Sequence, residues 1–279
     1  MDITWENHKR SLYPPRLSQK LKVLSFGAGV QSSTLLMLYE NGVLPNPPDF
    51  AIFADTQAEP QAVYKWLKFI RKKTKIPIYI FTRGDLAEDY IVTSGITGKD
   101  FNILPVHSLN SKGNPGIGKR QCTRDYKIDV IYQGIRMILR YEKGEPQGDT
   151  SVEMVIGISL DEIQRMKTSM LAWVKNSYPL VDMGWTRDNC KEYFAKLNFP
   201  TPPRSSCYFC PFRSNNQWLD LKRNHKYDWR KALKIDKALR ARGEFLHRSL
   251  VPLIDADLKE KDNPQIDGIV NECSGICGV

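Results

Sequence analysis

Short apolar runs alternate with amphipathic segments along most of the chain. The apolar runs end at glycine, proline or polar residues, as buried strands do, and the amphipathic segments carry apolar residues at helical spacing. The predicted strands are 22–27, 49–55, 76–81, 153–158 and 178–183. The predicted helices are 32–42, 59–73, about 124–141, 186–198 and two between 214 and 243. Because this order is typical of strands joined by crossover helices, it predicts an α/β fold with a doubly wound, mostly parallel sheet.

Three stretches lack this alternation. Residues 1–20 are polar and predict an N-terminal arm, 94–120 are rich in Gly, Ser, Asn and Pro and predict a long loop, and the last 35 or so residues predict a tail. We therefore expect an arm (1–20), a nucleotide-binding domain (21–185) and a helical, cysteine-bearing extension (186–279).

The charge balance adds a partner class to this outline. Lys and Arg number 41 against 31 Asp and Glu, which gives a net charge of +10. Such an excess favours nucleic acid or a phosphate-rich small molecule as partner, and a solvated basic surface is the alternative. Because no apolar run approaches the roughly 20 residues of a membrane span, we expect a cytoplasmic protein without membrane contact. The sequence leaves the oligomeric state open, with a homodimer as one option.

A glycine-containing loop joins the first predicted strand to the first predicted helix. In SFGAGVQSST (25–34), small residues allow close approach to a phosphate, and helix amides and hydroxyls offer donors to an anion. The loop lacks the Lys of a P-loop and the third glycine of a dinucleotide fingerprint. The candidate nucleotide-binding residues here are Ser25, Phe26, Gly27, Ala28, Gly29, Gln31, Ser32 and Ser33.

Further candidates follow two other predicted strands. Asp55 ends the second strand, where a topological switch point would expose it to a ribose or adenine. Gly157 and Asp161 follow the fourth strand, and Arg165 supplies a cation that could neutralise phosphate. We expect Asp55, Gly157 and Asp161 to bind the nucleotide.

Six cysteines suggest metal binding or catalysis, since disulfides are rare in cytosolic proteins. Cys207-x-x-Cys210, followed by Pro, is typical of a metal knuckle, with a redox dithiol as the alternative. Thiolates suit zinc and iron–sulfur clusters alike, so the ligand type does not choose between them.

The loop resembles the PP-loop of ATP pyrophosphatases (SGGxDS) and more closely the SFGxQ form of the phosphoadenylyl-sulfate (PAPS) reductase family. FADTQAEP (53–60) resembles that family's DTGxxFPET segment, with Glu59 near the matching acid. GISLDEIQRMK (157–167) resembles its GxRRxES segment, but Ser159 and Leu160 replace the two arginines. The resemblance implies a bound adenine nucleotide, and the missing arginines favour ATP with Mg²⁺ over a 3′-phosphorylated sulfate.

QCTRDYKI (121–128) resembles the CCxxRKV segment of cluster-bearing adenylyl-sulfate reductases, with Cys122 and Lys127 at the matching cysteine and basic positions. This implies a [4Fe–4S] cluster, with structural zinc as the alternative. The implied ligands are Cys122, Cys207, Cys210 and a fourth residue, for which Cys190 is the first choice and Cys273 the second. A cluster with three protein ligands is a further alternative.

The C-terminal ECSGIC resembles the ECGxH element that carries the catalytic cysteine of PAPS reductases, with Cys273 at that position and Cys277 after it. The resemblance implies Cys273, Cys277, Lys127 and Arg165 as catalytic residues. The chain is also similar to the sulfurtransferases of DNA phosphorothioation.

These similarities imply an enzyme that adenylylates a substrate with release of pyrophosphate and supports sulfur transfer, with a nucleic acid as acceptor and a sulfur or electron donor protein as partner. One alternative is a sulfonucleotide reductase with a C-terminal catalytic cysteine. The other is a zinc-stabilised nucleic-acid-binding protein.

Overall fold

The computed structural model describes residues 20–97, 104–141 and 149–259. The strands are β1 Lys20–Ser25, β2 Phe50–Asp55, β3 Ile78–Thr82, β4 His107–Leu109, β5 Pro115–Ile117, β6 Ser151–Ile156, β7 Val174–Ser177 and β8 Glu244–Phe245. The α-helices are α1 Val30–Glu40, α2 Gln61–Ile70, α3 Leu86–Thr97, α4 Asp129–Ile138, α5 Pro179–Asp182, α6 Arg187–Lys196, α7 Asn215–Asn224 and α8 Lys226–Arg240. A π-helical turn covers Arg124–Ile128, and a 3₁₀ turn covers Leu160–Arg165.

The main sheet has five parallel strands in the order β3-β2-β1-β6-β7. The chain winds outward from β1 to β3 and then returns to place β6 on the other side of β1. This arrangement confirms the predicted doubly wound α/β fold. The carboxyl ends of β1 and β6 therefore form a topological switch point, where ligands of such folds bind.

Helices cover both faces of the sheet. The neighbouring residues Val23 and Leu24 of β1 belong to different core clusters, as the alternation of a strand requires. Leu24 packs with residues of α1, α2 and α6, and Val23 packs with residues of α4. A Cβ on Gly134 of α4 would lie 2.7 Å from the Phe81 ring, so glycine allows this helix to approach the sheet closely.

A third core cluster lies beside the sheet. It joins α3, α7 and α8 to a small antiparallel sheet of order β5-β4-β8. Trp218 of α7 is fully buried there and meets Trp229 of α8 edge to face, with ring centroids 6.4 Å apart. This second region places residues from the middle and the end of the sequence next to each other.

Two sequence predictions about individual elements were wrong. The segment 178–183 contains α5 rather than a strand, because Pro179 occupies the first turn of a helix, and the edge strand is the preceding β7. The segment 94–120 is not one long loop, since it includes the end of α3 and the hairpin β4–β5. In the hairpin turn, Gly113 adopts a φ of +76° that favours glycine.

The predicted division at residues 185 and 186 remains a prediction, although α6 packs against α1 and so extends the first core beyond it. Of the predicted arm, the structure describes only Lys20, and of the tail only the part up to Lys259. Within the described residues, no helix combines the length and apolar character needed to cross a membrane.

Candidate functional site

The first candidate region is the switch-point loop, which we define as residues 25–34 together with 157–165. Helix α1 begins after Gly29, which has no side chain to cap it, and its first turn carries no acidic residue. The first-turn amides therefore face the loop without a side-chain acceptor, and they carry the positive end of the helix dipole. Ala28 adopts a φ of +55° at the tightest point of the loop. This geometry suits an anion such as a nucleotide phosphate.

Gly157 brings the loop after β6 against the first turn of α1. A Cβ at this position would lie 2.8 Å from the amide nitrogen of Ser32 and 3.1 Å from its Cα. Because these are backbone atoms, only glycine fits without moving the helix. Gly157 thus closes the two halves of the switch-point loop on each other.

A buried polar network joins the same two halves. Gln31 Nε2 donates to Glu162 Oε2 at 2.9 Å and to Ser159 Oγ at 3.3 Å. Arg165 Nη1 donates to the other carboxylate oxygen of Glu162 in a short contact. Glu162 is only 3% exposed, so it orients both Gln31 and Arg165 beside the loop. The sequence analysis named Gln31 and Arg165 but gave no role to Glu162, and the available signal was its position three residues before Arg165.

Not every hydroxyl and side chain of the loop faces the anion position. Ser33 Oγ accepts a hydrogen bond from Trp66 Nε1 at 2.9 Å, and Thr34 Oγ1 donates to the carbonyl of Val30 at 2.9 Å. Phe26 is 1% exposed and packs in the core below the loop. That Ser33 and Phe26 bind the nucleotide stays a prediction, and their backbone groups are better placed for it than these two side chains.

Two hydroxyls of the loop remain suited to a ligand. Ser32 is 7% exposed, and its hydroxyl donates to the Gly29 carbonyl at 3.4 Å. Ser25 Oγ is buried and has no hydrogen-bond partner among the described residues, and the same is true of Gln31 Oε1. These unpartnered atoms lie in the segment predicted to bind the nucleotide.

The two predicted carboxylates have protein partners. Asp55 Oδ1 accepts hydrogen bonds from the Gln57 amide and the Tyr64 hydroxyl, both at 2.8 Å. Burial, assisted by the charge of Asp55, raises the pKa of Tyr64, so that hydroxyl remains a donor. Asp161 Oδ1 accepts from the Arg187 amide at 3.0 Å and ties the loop to the first turn of α6.

The second candidate region is the thiol cavity, a cavity of about 30 Å³ lined by Cys122, Cys207 and Cys210. Thr56 follows β2 directly, and its Oγ1 lies 3.7 Å from Cys207 Sγ. The cavity therefore lies at the carboxyl edge of the main sheet, as the switch-point loop does. Lys127 in the π-helical turn also lines it, five residues after Cys122 in the chain.

Buried charges surround these thiols. Lys127 Nζ pairs with Glu59 Oε1 at 2.8 Å, with both side chains almost fully buried. The partly buried Arg213 donates from Nη2 to the carbonyls of Ser206 and Cys207 at 3.1 and 3.0 Å. Burial raises the pKa of the Cys207 thiol well above its ordinary value, and the charge of Glu59 adds to the effect while Lys127 opposes it. Without a bound cation, Cys207 is therefore a neutral thiol.

The structure does not bring Cys190 to the cavity. It is fully buried on α6 and packs in the core cluster of α1 and α2, whereas Cys122 and Cys207 pack against the cluster of α7 and α8. This placement corrects the expectation that Cys190 completes the metal ligands. Cys273 and Cys277 lie outside the described residues.

The described chain ends at the first turn of α7. Asn215 Nδ2 donates to the carbonyls of Asp257 and Lys259 at 3.1 and 3.3 Å, and Asn215 begins α7 five residues after Cys210. The chain thus passes the first turn of α7 before its last 20 residues, 260–279.

The donor set fits a soft metal centre in chemistry but is incomplete. Three thiols line one cavity with the cations Lys127 and Arg213 beside them, as a cluster with negatively charged ligands requires. In the part of the chain that the structure describes, however, no group of three or more His, Cys, Asp or Glu side chains is arranged to hold a metal ion. A metal centre with four protein ligands would need one of them from elsewhere.

No family model matches this chain. No curated protein matches it by sequence either. Among solved structures, it is similar to the phosphoadenylyl-sulfate (PAPS) reductase from Candida auris, determined as a phosphate complex, with 13% sequence identity and a TM-score of 0.40. The match covers 68% of this chain and 76% of that chain. Similarity this distant does not assign a function, which has to be argued from the site itself.

Proposed function

We propose that the protein is an ATP-binding enzyme of the PP-loop type that adenylylates an acceptor, releases pyrophosphate and supports sulfur transfer with a cysteine-held iron–sulfur centre. One observation carries the proposal. The uncapped glycine loop after β1 and the thiol cavity after β2 lie at the carboxyl edge of one sheet, on neighbouring strands. A nucleotide in the loop would therefore lie close to the thiols.

The loop residues have separate tasks in the first step. First-turn amides of α1 and the Ser32 hydroxyl bind the phosphates, and Arg165, held by Glu162, neutralises their charge. Mg²⁺ would add further charge neutralisation when bound. An acceptor oxygen attacks the α-phosphorus of ATP, the bond from that phosphorus to the bridging oxygen breaks, and pyrophosphate leaves.

In the second step sulfur replaces the adenylylated oxygen. The outer sulfur of a persulfide on Cys273 or Cys277, loaded by a sulfur donor protein, attacks the acceptor, and AMP leaves. The other tail cysteine then cleaves the resulting mixed disulfide, so the acceptor keeps one sulfur and the two cysteines form a disulfide. An external electron donor reduces that disulfide.

An iron–sulfur cluster would be held by Cys122, Cys207 and Cys210 and would supply redox and sulfur-binding chemistry beside the loop. Lys127 and Arg213 offset the negative charge of its ligands. Because Cys190 lies in another core and both tail cysteines take part in sulfur transfer, we propose a cluster with three protein ligands.

The two alternative functions would require different features at the site. A reductase acting on a sulfonucleotide would use the arginine pair of its family, but here Ser159 is buried and bonded to Gln31, and Leu160 is exposed. This difference disfavours the reductase. A zinc-stabilised nucleic-acid-binding protein would need no ligand in the switch-point loop. Ser25 Oγ and Gln31 Oε1 are buried there without a hydrogen-bond partner among the described residues, which disfavours this function.

The test measures pyrophosphate release from ATP by the wild type and by two neighbouring serine variants. Ser32→Ala should raise KM for ATP or abolish turnover, because its hydroxyl faces the loop. Ser33→Ala is the matched control, since it removes the hydrogen bond to Trp66 and should lower stability while leaving KM for ATP close to wild type.

Several results would contradict the proposal. Equal KM changes in the two variants would mean that the loop does not bind phosphate as described. Turnover of adenylyl sulfate without ATP would support the reductase. Zinc alone in the purified protein, with no pyrophosphate release, would support the nucleic-acid-binding protein.

A further inference from the structure

The exposed face of α8 is uniformly basic. Its exposed charged residues are Lys226, Arg230, Lys234, Lys237 and Arg240. The helix also carries two acids, but both are buried at 3% or less: Asp228 accepts from the Gln61 amide, and Asp236 accepts from the amides of Leu246 and Leu253. The two acids thus attach the buried side of α8 to neighbouring segments. The cations from 226 to 237 form a stripe about 16 Å long, at the 1.5 Å rise of a helix.

A groove of about 740 Å³ runs beside this stripe, between α8 and the start of α3. Two tyrosines and three cations line it: Tyr208, Tyr227, Arg230, Lys231 and Lys234. Lys231 Nζ lies 4.5 Å from the centroid of the Tyr208 ring, so the cation is held over the groove floor. Tyr227 is 51% exposed at the rim, and Lys231 Nζ lies 5.9 Å from the centroid of its ring. Aromatic faces beside a basic track are the means by which proteins bind single-stranded nucleic acids.

The opposite wall of the groove carries two acids, which limit where an anion can lie. Asp85 Oδ1 caps the start of α3 by accepting from the amides of Ala87 and Glu88, at 2.8 and 3.3 Å. Glu88 also lines the groove. Phosphates should therefore lie on the α8 side, with a base directed towards the tyrosines.

The groove and the thiol cavity are lined by neighbouring residues of one segment. Tyr208 follows Cys207 in the chain, and its amide donates to the Ala58 carbonyl at 2.9 Å, beside the Lys127–Glu59 pair. One short segment thus lines the groove with a tyrosine and the cavity with a thiol.

We propose that the groove along α8 is the binding site for the acceptor, a single-stranded nucleic acid. The basic stripe contacts successive phosphates, and Tyr227 stacks on a base at the groove mouth. This inference rests on the proposed function, because that function makes the bound strand the acceptor. Binding of the strand itself requires neither ATP nor a metal.

Binding of a labelled 12-nucleotide DNA or RNA strand without ATP, measured at several salt concentrations, tests the site. Arg230→Glu/Lys234→Glu should lower affinity at least tenfold and should reduce the slope of log affinity against log salt by about 1.4, since each phosphate contact contributes about 0.7 for single strands. Tyr227→Ala should lower affinity by roughly five- to tenfold with an unchanged slope, because stacking is not ionic. Binding of either strand type with these effects supports the proposal.

Lys65→Glu/Lys68→Glu on the exposed side of α2 is the matched control, since it makes the same charge change away from the groove. It should lower affinity no more than twofold, and thermal unfolding should confirm that all variants fold. Equal loss in the control, or no binding by the wild type, would overturn the proposal. Pyrophosphate release is measured separately, so binding without turnover would contradict the proposed function alone, and turnover without binding would contradict the groove alone.

Discussion

The switch-point loop and the thiol cavity lie at the same edge of the same sheet but are assembled differently. The loop is built mainly from one continuous segment, 25–34, and offers backbone amides and small side chains. The cavity is built from segments that are far apart in the sequence, among them those around Thr56, Cys122 and Cys207, and it concentrates buried charges and thiols. The first region can bind an anion with little rearrangement, whereas the second depends on the packing of the whole molecule.

The largest effect should follow from breaking the buried ion pair of the thiol cavity. Lys127→Met leaves Glu59 charged and buried without its cation and should lower the free energy of unfolding by about 3–5 kcal/mol. Lys127→Met/Glu59→Gln should recover more than half of that loss, because the uncompensated charge is gone. Urea unfolding followed by circular dichroism measures both variants. A single variant as stable as the wild type would mean that the pair is not buried as described.

A smaller effect is expected in the switch-point loop, where the constraint is steric. Gly157→Ala places a methyl group against the Ser32 backbone and should cost about 1–3 kcal/mol while abolishing ATP binding. In Gly116→Ala the nearest atom to the new methyl is 3.9 Å away, so this control should bind ATP normally. Isothermal titration with ATP compares the two. Normal ATP binding by Gly157→Ala would contradict the close contact of the two loop halves.

Mild acid should destabilise the α7–α8 region, which borders the thiol cavity, before it destabilises the main sheet, which carries the switch-point loop. Burial, with the nearby charges of Arg248 and His107, lowers the pKa of His247 to about 4. The unfolded chain therefore takes up a proton below about pH 6.5 that the folded protein resists, so stability is fully present above pH 6.5 and falls as the pH drops towards 4. The expected loss at pH 5 is about 1–2 kcal/mol.

Hydrogen exchange at pH 7 and pH 5, corrected for intrinsic rates, locates this effect. The amides of α7 and α8 should lose protection before those of the main sheet, since His247 contacts Asn215 at the start of α7. His247→Asn removes one titrating group and should reduce the pH dependence of the protection of α7, while His107, whose pKa burial also lowers, keeps part of it. Equal loss of protection in the main sheet and in α7 would contradict a local effect of His247.

The smallest effect concerns the backbone of the loop. Ala28→Gly relieves a φ of +55° and should change the free energy of unfolding by less than about 1 kcal/mol, towards stability, with ATP binding retained. Ala62→Gly within α2 should instead lower stability by about 0.5–1 kcal/mol. Thermal unfolding compares the two variants. Destabilisation of both by the same amount would mean that Ala28 is not strained.

The contrast between the regions also explains what the sequence could predict. The alternation of apolar runs predicted the doubly wound sheet, because each strand and each crossover helix carries its own periodicity. The loop was recognisable for the same reason, as its features are local. The role of Glu162 was not, since it depends on Gln31 of α1 being brought to it by the fold.

The cysteines show the limit most clearly. Cys207 and Cys210 are neighbours in the sequence, and Cys122 was linked to them through the resemblance of its segment. Cys190 lies nearest to them along the chain, but its helix buries that side chain against α1, in a different core cluster from the one that Cys122 and Cys207 pack against. Distance along the sequence does not indicate which face of a helix will be buried.

The iron and acid-labile sulfide content of protein purified without oxygen tests the central claim most directly. Wild type and Cys190→Ala should each contain about four irons per chain with matching sulfide, and Cys207→Ala should contain none. Cys190→Ala should be somewhat less stable than wild type, because a buried atom is lost from the core. Loss of iron in Cys190→Ala with retention in Cys207→Ala, or zinc alone in the wild type, would contradict the account.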